Sequence, residues 1–285
     1  MSNSEINVPV VLVFSGHDPS GGAGVQADIE AIISQGVHPA TVITALTVQD
    51  TVNVKRFVPT DPSLVIEQAR AVLEDMPVTC IKIGMIGSVA LVEVIHSILK
   101  DYPDIPVVLD PVLIAGGGGT LADEAIAKAM LNLLVPLTTI LTPNAYEARV
   151  LVKLAHADGD TLEERGASLL AMGPTYVLLK GGDEPGTEVE NWLFHGHAAP
   201  RRFAYERLPG EFHGSGCTLA AAIAGLIAQA SDADYVNAIH EAQEYTGHTL
   251  FHAAQIGRGQ WIPHRLFWAD SEEEGEETAP VPRIH

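Results

Sequence analysis

The stretch "EFHGSGCTLAAAIAGL" (211–226) sets Gly214, Ser215, Gly216 and Cys217 at the mouth of a helical run of small residues. Cysteine is scarce, with Cys80 and Cys217 the two in the chain. Successive backbone N–H groups on such a turn can face one point, and the positive end of the following helix adds to their field. That is an anion site built from main chain. A thiol in the first turn of a helix has its pKa lowered, so Cys217 is expected to be an acid–base group beside the anion. A nucleophile elbow needs glycine two residues before Ser215, and His213 stands there instead, so acyl transfer is poorly supported. Phosphoryl transfer fits better, because its charge develops on equatorial oxygens and positioning dominates. The plainer alternative is a glycine-rich turn followed by a small buried cysteine.

Other chemistry-bearing residues sit just after apolar runs. Lys180 ends "YVLLK" ahead of two glycines, as a phosphate ligand or a snorkelling strand-end lysine would. Asp110 closes "VVLD" and Glu147 lies three after Asn144 in "LTPNAYEARV". Asp110 and Glu147 make a reasonable Mg²⁺ pair, since Mg²⁺ takes one or two carboxylates plus phosphate oxygens and water. Asn144 and Glu147 also read as a helix cap and a dipole partner. Gln49, in "TVQDT", carries donor and acceptor on one amide and could grip a ring nitrogen beside an amine; the alternative is a polar loop residue. Met85 is an adaptable wall for a flat ring, or ordinary core. The turn "SGHDPSGGAGVQAD" offers Asp18 and Asp28 as acceptors, with Asp28 alternatively a solvated first-turn residue. Gly22, Gly24 and Ala27 there fit the relaxed dinucleotide fingerprint, which keeps a nicotinamide dehydrogenase in view. No Walker A loop is present. His248 and His252, at i and i+4, lack a third metal ligand and read as a surface face.

These residues need elements to hold them. Short β-rich runs alternate with amphipathic ones. Strands are expected at 8–14, 40–48, 79–85, 106–110, 137–142 and 175–180, with a hairpin of 190–196 and 201–208. Helices are expected at 24–35, 62–74, 88–100, 123–134, 144–155 and 161–172, and from Gly216 and Asp232. Such alternation implies an α/β fold with a central, mostly parallel sheet flanked by helices on both faces. Ligands then bind outside the carboxyl ends of the strands, which is where these side chains fall.

The chain has 285 residues, 47% hydrophobic and 18% charged, with a formal net charge of −20. That balance suits one large α/β domain, expected over 1–268, and argues against nucleic acid and anionic membranes as partners. The acidic tail 269–285 reads as disordered. No signal peptide or membrane-spanning run is visible, and two distant cysteines make no disulfide framework. A cytoplasmic protein with reduced thiols is expected.

Seven motifs then occur in order: "SGHDPSGGAGVQADI", "VITALTVQDT", "KIGMIGS", "VLDPV", "LTPNAYEA", "LLKGGD" and "HGSGCTLAAAIA". Together, from the first strand to about residue 265, they resemble the hydroxymethylpyrimidine/phosphomethylpyrimidine kinases of thiamine biosynthesis, which are ribokinase-like. The resemblance implies two successive phosphorylations of 4-amino-5-hydroxymethyl-2-methylpyrimidine by ATP with Mg²⁺, in a homodimer. It implies that Gly16 and Ala23 lie beside the pyrimidine, Gln49 holds its aminopyrimidine edge, and Met85 and Val112 pack on the ring. Asp110, Asn144 and Glu147 would organise Mg²⁺ and its water, Lys180 would meet ATP phosphates, and Gly214 to Cys217 would form the anion hole. Cys217 takes the place where sugar kinases of the superfamily carry an aspartate base. Two stretches depart from the family pattern: "ERLPGEF" before the anion hole and "AGGGG" after "DPVLI". A pyridoxal kinase and a non-catalytic pyrimidine-binding regulator are the neighbouring alternatives.

Overall fold

The run "VVLVF" has no polar side chain to face water, so it must be covered on both sides. In the computed structural model, which describes residues 8–114, 121–230 and 235–270, it forms β1 (Val10–His17) at the heart of a nine-stranded sheet. Val10, Leu12 and Phe14 enter one apolar layer, and Val11 and Val13 enter the other. That period-two division, apolar on both faces, is the signature of a doubly covered sheet.

Around β1 run β2 (His38–Gln49), β3 (Val54–Pro59), β4 (Val78–Ile83), β5 (Val107–Leu109), β6 (Ile140–Leu141), β7 (Tyr176–Leu179), β8 (Glu188–His195) and β9 (Arg201–Glu206). Their order is β3-β2-β1-β4-β5-β6-β7-β8-β9. Strands β2, β1, β4, β5, β6 and β7 are parallel. β3 pairs antiparallel with β2, and β8 and β9 extend the far edge antiparallel.

Helices α1 (Gly24–Ser34), α7 (Ser215–Gln229) and α8 (Tyr235–Phe251) cover one face. Helices α2 (Pro62–Asp75), α3 (Val89–Asp101), α4 (Glu124–Leu133), α5 (Ala145–Leu154) and α6 (Leu162–Ala171) cover the other. Their starts follow local chemistry: Asp61, Ser88, Asp123, Asn144 and Thr161 each accept a first-turn N–H. Helix α7 is almost wholly buried, and its small residues let it lie close to α1. A Cβ at Gly225 would come 3.0 Å from Gln35 Cβ.

The sequence reading missed β3. Its exposed Lys55 and Arg56 and its closing proline hide the alternation of a strand, as suits a sheet edge. The expected strand 137–142 shortens to Ile140–Leu141, because Val135–Leu137 turns as a 3₁₀ helix and the Thr138 hydroxyl donates back to the Leu134 carbonyl. The "AGGGG" stretch, Asp232 and the tail from 271 onward lie outside the described residues. Ala269 and Asp270, read as tail, close a short 3₁₀ turn at Phe267–Asp270. Among the described residues no helix is long and apolar enough to cross a membrane.

Candidate active site

Helix α7 starts without a side-chain cap. Gly214 holds the N-cap position at φ 72°, a left-handed conformation that glycine adopts without penalty. A Cβ there would sit 2.1 Å from the Gly22 carbonyl oxygen and 2.9 Å from Ala23 Cα. The absent side chain thus lets the anion turn press against the first glycine turn. No side chain caps the opening N–H groups of α7, and the helix field lies behind them.

Lys180 closes on the same turn from the end of β7. Its ammonium lies 3.0 Å from where a Gly216 Cβ would be, and its side chain is only 13% exposed. The lysine does not snorkel. It donates to Asp110 Oδ1 at 2.7 Å, while the Thr142 hydroxyl donates to the same oxygen at 3.2 Å. Burial pulls the Lys180 pKa down, but the Asp110 and Glu147 carboxylates outweigh it and hold the ammonium charged. Asp110 Oδ2 is 3.7 Å from that same Gly216 Cβ position, so cation, carboxylate and anion turn meet in one place.

Asn144 and Glu147 form a capping box at α5. The Asn144 amide oxygen accepts from Glu147 N at 2.8 Å, and Glu147 Oε2 accepts from Asn144 N at 2.9 Å. Glu147 Oε1 takes a longer bond from Leu113 N at 3.4 Å. Burial pushes Glu147 up to about 7, with Lys180 and the backbone donors pulling down and Asp110 pushing up. The capping reading of this pair is therefore correct. It does not remove the cation reading, because Asp110 keeps one oxygen free of protein donors among the described contacts. The donor set is hard oxygen beside an anion turn, which fits Mg²⁺ bound through few protein ligands and phosphate. Among the described residues no cluster of three or more metal-ligating side chains occurs. His248 and His252 stack on Phe267, and His252 Nδ1 sits 2.9 Å from the His248 carbonyl, so they form a side-chain stack on the helix.

The residues expected beside the ring lie at other strand ends. A Gly16 Cβ would meet Met85 Sδ at 2.9 Å, so the bare glycine makes room for that side chain. Met85 and Val112 share a small apolar cluster with Ala45, Leu121 and Phe57. The Thr44 hydroxyl donates to the Met85 carbonyl and fixes the backbone there. Ala23 donates its N–H to Asp18 Oδ2 at 3.0 Å. Gln49 reaches the same corner through His213, whose Nε2 lies 3.1 Å from the Gln49 amide nitrogen and 2.7 Å from Asp18 Oδ2.

One expectation needs correcting, and two of the alternatives kept beside the main reading fall away. Cys217 does not have a lowered pKa. Burial pushes it up; the Lys82 charge and a hydrogen bond from Gly24 N oppose this, while Asp28 and Asp110 add to it. Loss of water around a thiolate outweighs the end of one helix. Asp28 is not a solvated first-turn residue. It is fully buried, 2.8 Å from the equally buried Lys82 ammonium. That pair is a close contact without an aligned hydrogen bond, and Ser15 Oγ beside it is also unpartnered. Nor does Gly22–Gly24 act as a free phosphate loop: the Gly22 carbonyl accepts from the buried Arg265 guanidinium, and Gly24 bridges to His17.

Sequence reasoning missed His213, Lys82 and Arg265. Lys82 carried a signal, since a charge in the middle of the all-apolar strand "TCIKIGM" must find a buried partner. Arg265 also bonds Glu30 and the Thr218 hydroxyl, tying the C-terminal segment to both glycine turns. Nothing local in the sequence announces it.

Known proteins carry the same layout. The family model for phosphomethylpyrimidine kinase matches residues 18–264. The hydroxymethylpyrimidine/phosphomethylpyrimidine kinase of Synechococcus elongatus is 35% identical over 89% of this chain and 95% of its own. The crystal structure of phosphomethylpyrimidine kinase from Clostridium difficile is 30% identical, with a TM-score of 0.71 over 85% of this chain and 99% of its own. An ADP complex of Bacillus subtilis pyridoxal kinase is 25% identical, with a TM-score of 0.80 over 90% of this chain and 97% of its own. A ribokinase-like sheet, an uncapped anion turn and a matched sequence of this extent have one conclusion: the chain belongs to the phosphomethylpyrimidine kinase family and is a phosphotransferase of the hydroxymethylpyrimidine/phosphomethylpyrimidine kinase kind.

Proposed function

We propose that this site transfers the terminal phosphoryl group of ATP first to the hydroxyl of 4-amino-5-hydroxymethyl-2-methylpyrimidine and then to the resulting monophosphate. The observation that carries the reading is the uncapped start of α7 with Lys180 and Asp110 beside it. The Gly214–Cys217 turn binds the transferred group, and Lys180 neutralises phosphate charge. Asp110, with Glu147 and Asn144 behind it, would hold Mg²⁺ and its water; the metal supplies charge neutralisation on the phosphates. Gly16, Ala23, Met85 and Val112 enclose the ring, and Gln49 reads its edge. The ADP bound by the Bacillus subtilis relative supports nucleotide use. The exposed Leu46, Val48 and Val58 on the β2–β3 edge support a second copy of the chain as partner. The two free cysteines suit the cytoplasm.

The raised pKa of Cys217 shapes its role. A thiol that starts protonated cannot take the acceptor's proton without first losing its own, so Cys217 serves chiefly to orient the acceptor hydroxyl, whose proton leaves on a phosphoryl oxygen or to water as the O–P bond forms. A loose transition state asks for little base early. A phosphate monoester is already largely anionic near neutral pH, so the second transfer needs the thiol less. Cys217→Ala should slow the first transfer about 10²-fold and the second by less than about 5-fold. Equal losses in single-turnover measurements of the two steps would refute this role.

Glu147 gives a pH signature. Its acid form is favoured up to about 7, so the carboxylate that supports Mg²⁺ grows in as pH rises through that value. The activity with MgATP should climb from pH 6 to 8, and Glu147→Gln should flatten that limb. Stability runs the other way: the folded pKa lies above the ordinary value, so this group's contribution to stability falls as pH rises toward 7.

ADP release from MgATP tests the substrate assignment, comparing the hydroxymethylpyrimidine, its monophosphate and pyridoxal. Turnover with both pyrimidines is expected. Pyridoxal preferred over either would favour the second reading, which the likeness to the Bacillus subtilis pyridoxal kinase keeps in view.

A further inference from the structure

His213 immediately precedes the anion turn and is 4% exposed. Its ring lies against Gly22, where a Cβ would sit 2.0 Å from His213 Cδ2. Nε2 faces Asp18 Oδ2 at 2.7 Å and the Gln49 amide nitrogen at 3.1 Å, while Nδ1 is buried without a partner. The Asp18 carboxylate also accepts from Ser20 N at 2.9 Å, from the Ser20 hydroxyl and from Ala23 N. Burial pushes the Asp18 pKa up, but the hydrogen bonds from His213 and Ser20 outweigh it and hold the group below the usual carboxylate value. Asp18 is therefore acceptor-only, and the ring hydrogen that faces it sits on Nε2.

A second donor cannot face that same N–H. The oxygen and nitrogen of an amide have nearly the same shape, so the hydrogen-bond network decides which way it lies. Half a turn of the Gln49 amide removes the conflict. Oε1 then shares the Nε2 hydrogen with Asp18, and the NH₂ group takes the opposite side, where no contact with the described residues holds it.

We propose that His213 is a positioning residue that fixes which way the Gln49 amide lies, and through it the hydrogen-bond pattern accepted on a ring substrate. With Oε1 toward His213, Gln49 offers N–H to a ring nitrogen and keeps a lone pair for an adjacent amine. An amino-substituted pyrimidine edge matches both. The 4-oxo analogue carries a ring N–H and a carbonyl in the same places, and mismatches both. A site whose polar groups are left unpaired by the wrong ligand rejects it strongly. The ligand half of this inference rests on the pyrimidine reading above; the ring tautomer does not.

Two measurements test it. Long-range ¹H–¹⁵N NMR of the full chain with ¹⁵N-histidine, assigned by loss of signal in His213→Gln, should show hydrogen on Nε2 and none on Nδ1. The opposite tautomer would overturn the proposal. Calorimetry should then give Kd for the aminopyrimidine alcohol and its 4-oxo analogue. The wild type should favour the amino compound by about 100-fold. His213→Leu should narrow that ratio to below about 5-fold, with the loss falling on KM more than kcat, and His213→Gln, which keeps an N–H, should restore part of it. A folded His213→Leu protein that keeps the full ratio would also overturn the proposal. If the wild type binds neither compound, the substrate assignment fails and the NMR tautomer alone decides the role of His213.

Discussion

Gly214→Ala should lower kcat by about 10³-fold while leaving the sheet and its helices folded. Losing one donor of a preorganised anion hole costs about 10²–10³-fold by itself. Alanine keeps its backbone N–H, but the new methyl group misplaces the donors of the whole turn. It must occupy a position 2.1 Å from the Gly22 carbonyl oxygen, at a φ that side chains avoid. The turn has to move, and with it Ser215, Gly216 and Cys217. Gly22 and Ala23 move too, so both glycine turns lose register with Lys180. Steady-state kinetics beside a circular dichroism melt checks this: the rate should collapse and the melt should shift by only a few degrees. A variant that keeps more than a tenth of its activity would show that the turn does not bind the transferred group.

Lys82→Met should cost about 3–5 kcal/mol of stability, the usual consequence of removing one partner from a buried ion pair. Both charges are fully buried, and among the described residues this ammonium is the one opposite charge close to Asp28. Burial already pushes the Asp28 pKa up, with Lys82 as the main force holding it down. Without the lysine, the folded pKa rises further above the unfolded value. The folded variant then binds more protons than the unfolded chain across that window, and its stability falls as pH rises. The deficit should be smallest near pH 4 and largest at neutral pH. Lys82→Met combined with Asp28→Leu should recover most of the loss, since a well-packed apolar pair often matches a buried salt bridge. Denaturant melts at pH 4 and 7 measure both effects. The same double variant should weaken catalysis, because Lys82 is the charge that offsets the burial of Cys217.

Strand β1 and most helices were legible because their patterns are local. An apolar run with both parities buried has one home, and a cap followed by a 3.6-residue period has another. The strand ends also named Asp110, Lys180 and Cys217 as neighbours, since a parallel sheet gathers them at one edge. What stayed hidden was pairing at a distance. His213 and Asp18 meet across 195 positions, and only the fold shows that the residue spoiling a nucleophile elbow is the one that faces Gln49. Asp28, read as a ligand acceptor or else a solvated dipole partner, turned out to be a buried ion-pair member, because helix position says nothing of what packs above it. Cys217 shows the same limit in its chemistry. The helix-start rule lowers a thiol pKa, but burial beside two carboxylates raises it further than the helix field can offset. The edge strand β3 was lost for the opposite reason: its exposed charges protect a free edge and erase the strand pattern.

The most direct measurement is a time course with MgATP and the hydroxymethylpyrimidine as sole acceptor, the products resolved by ³¹P NMR. The monophosphate should appear first and then pass to the diphosphate, with two ADP released per pyrimidine, and Gly214→Ala should slow both steps together by about 10³-fold. No phosphorylated pyrimidine, or more than a tenth of wild-type turnover in Gly214→Ala, would contradict a two-step phosphoryl transfer at the α7 turn.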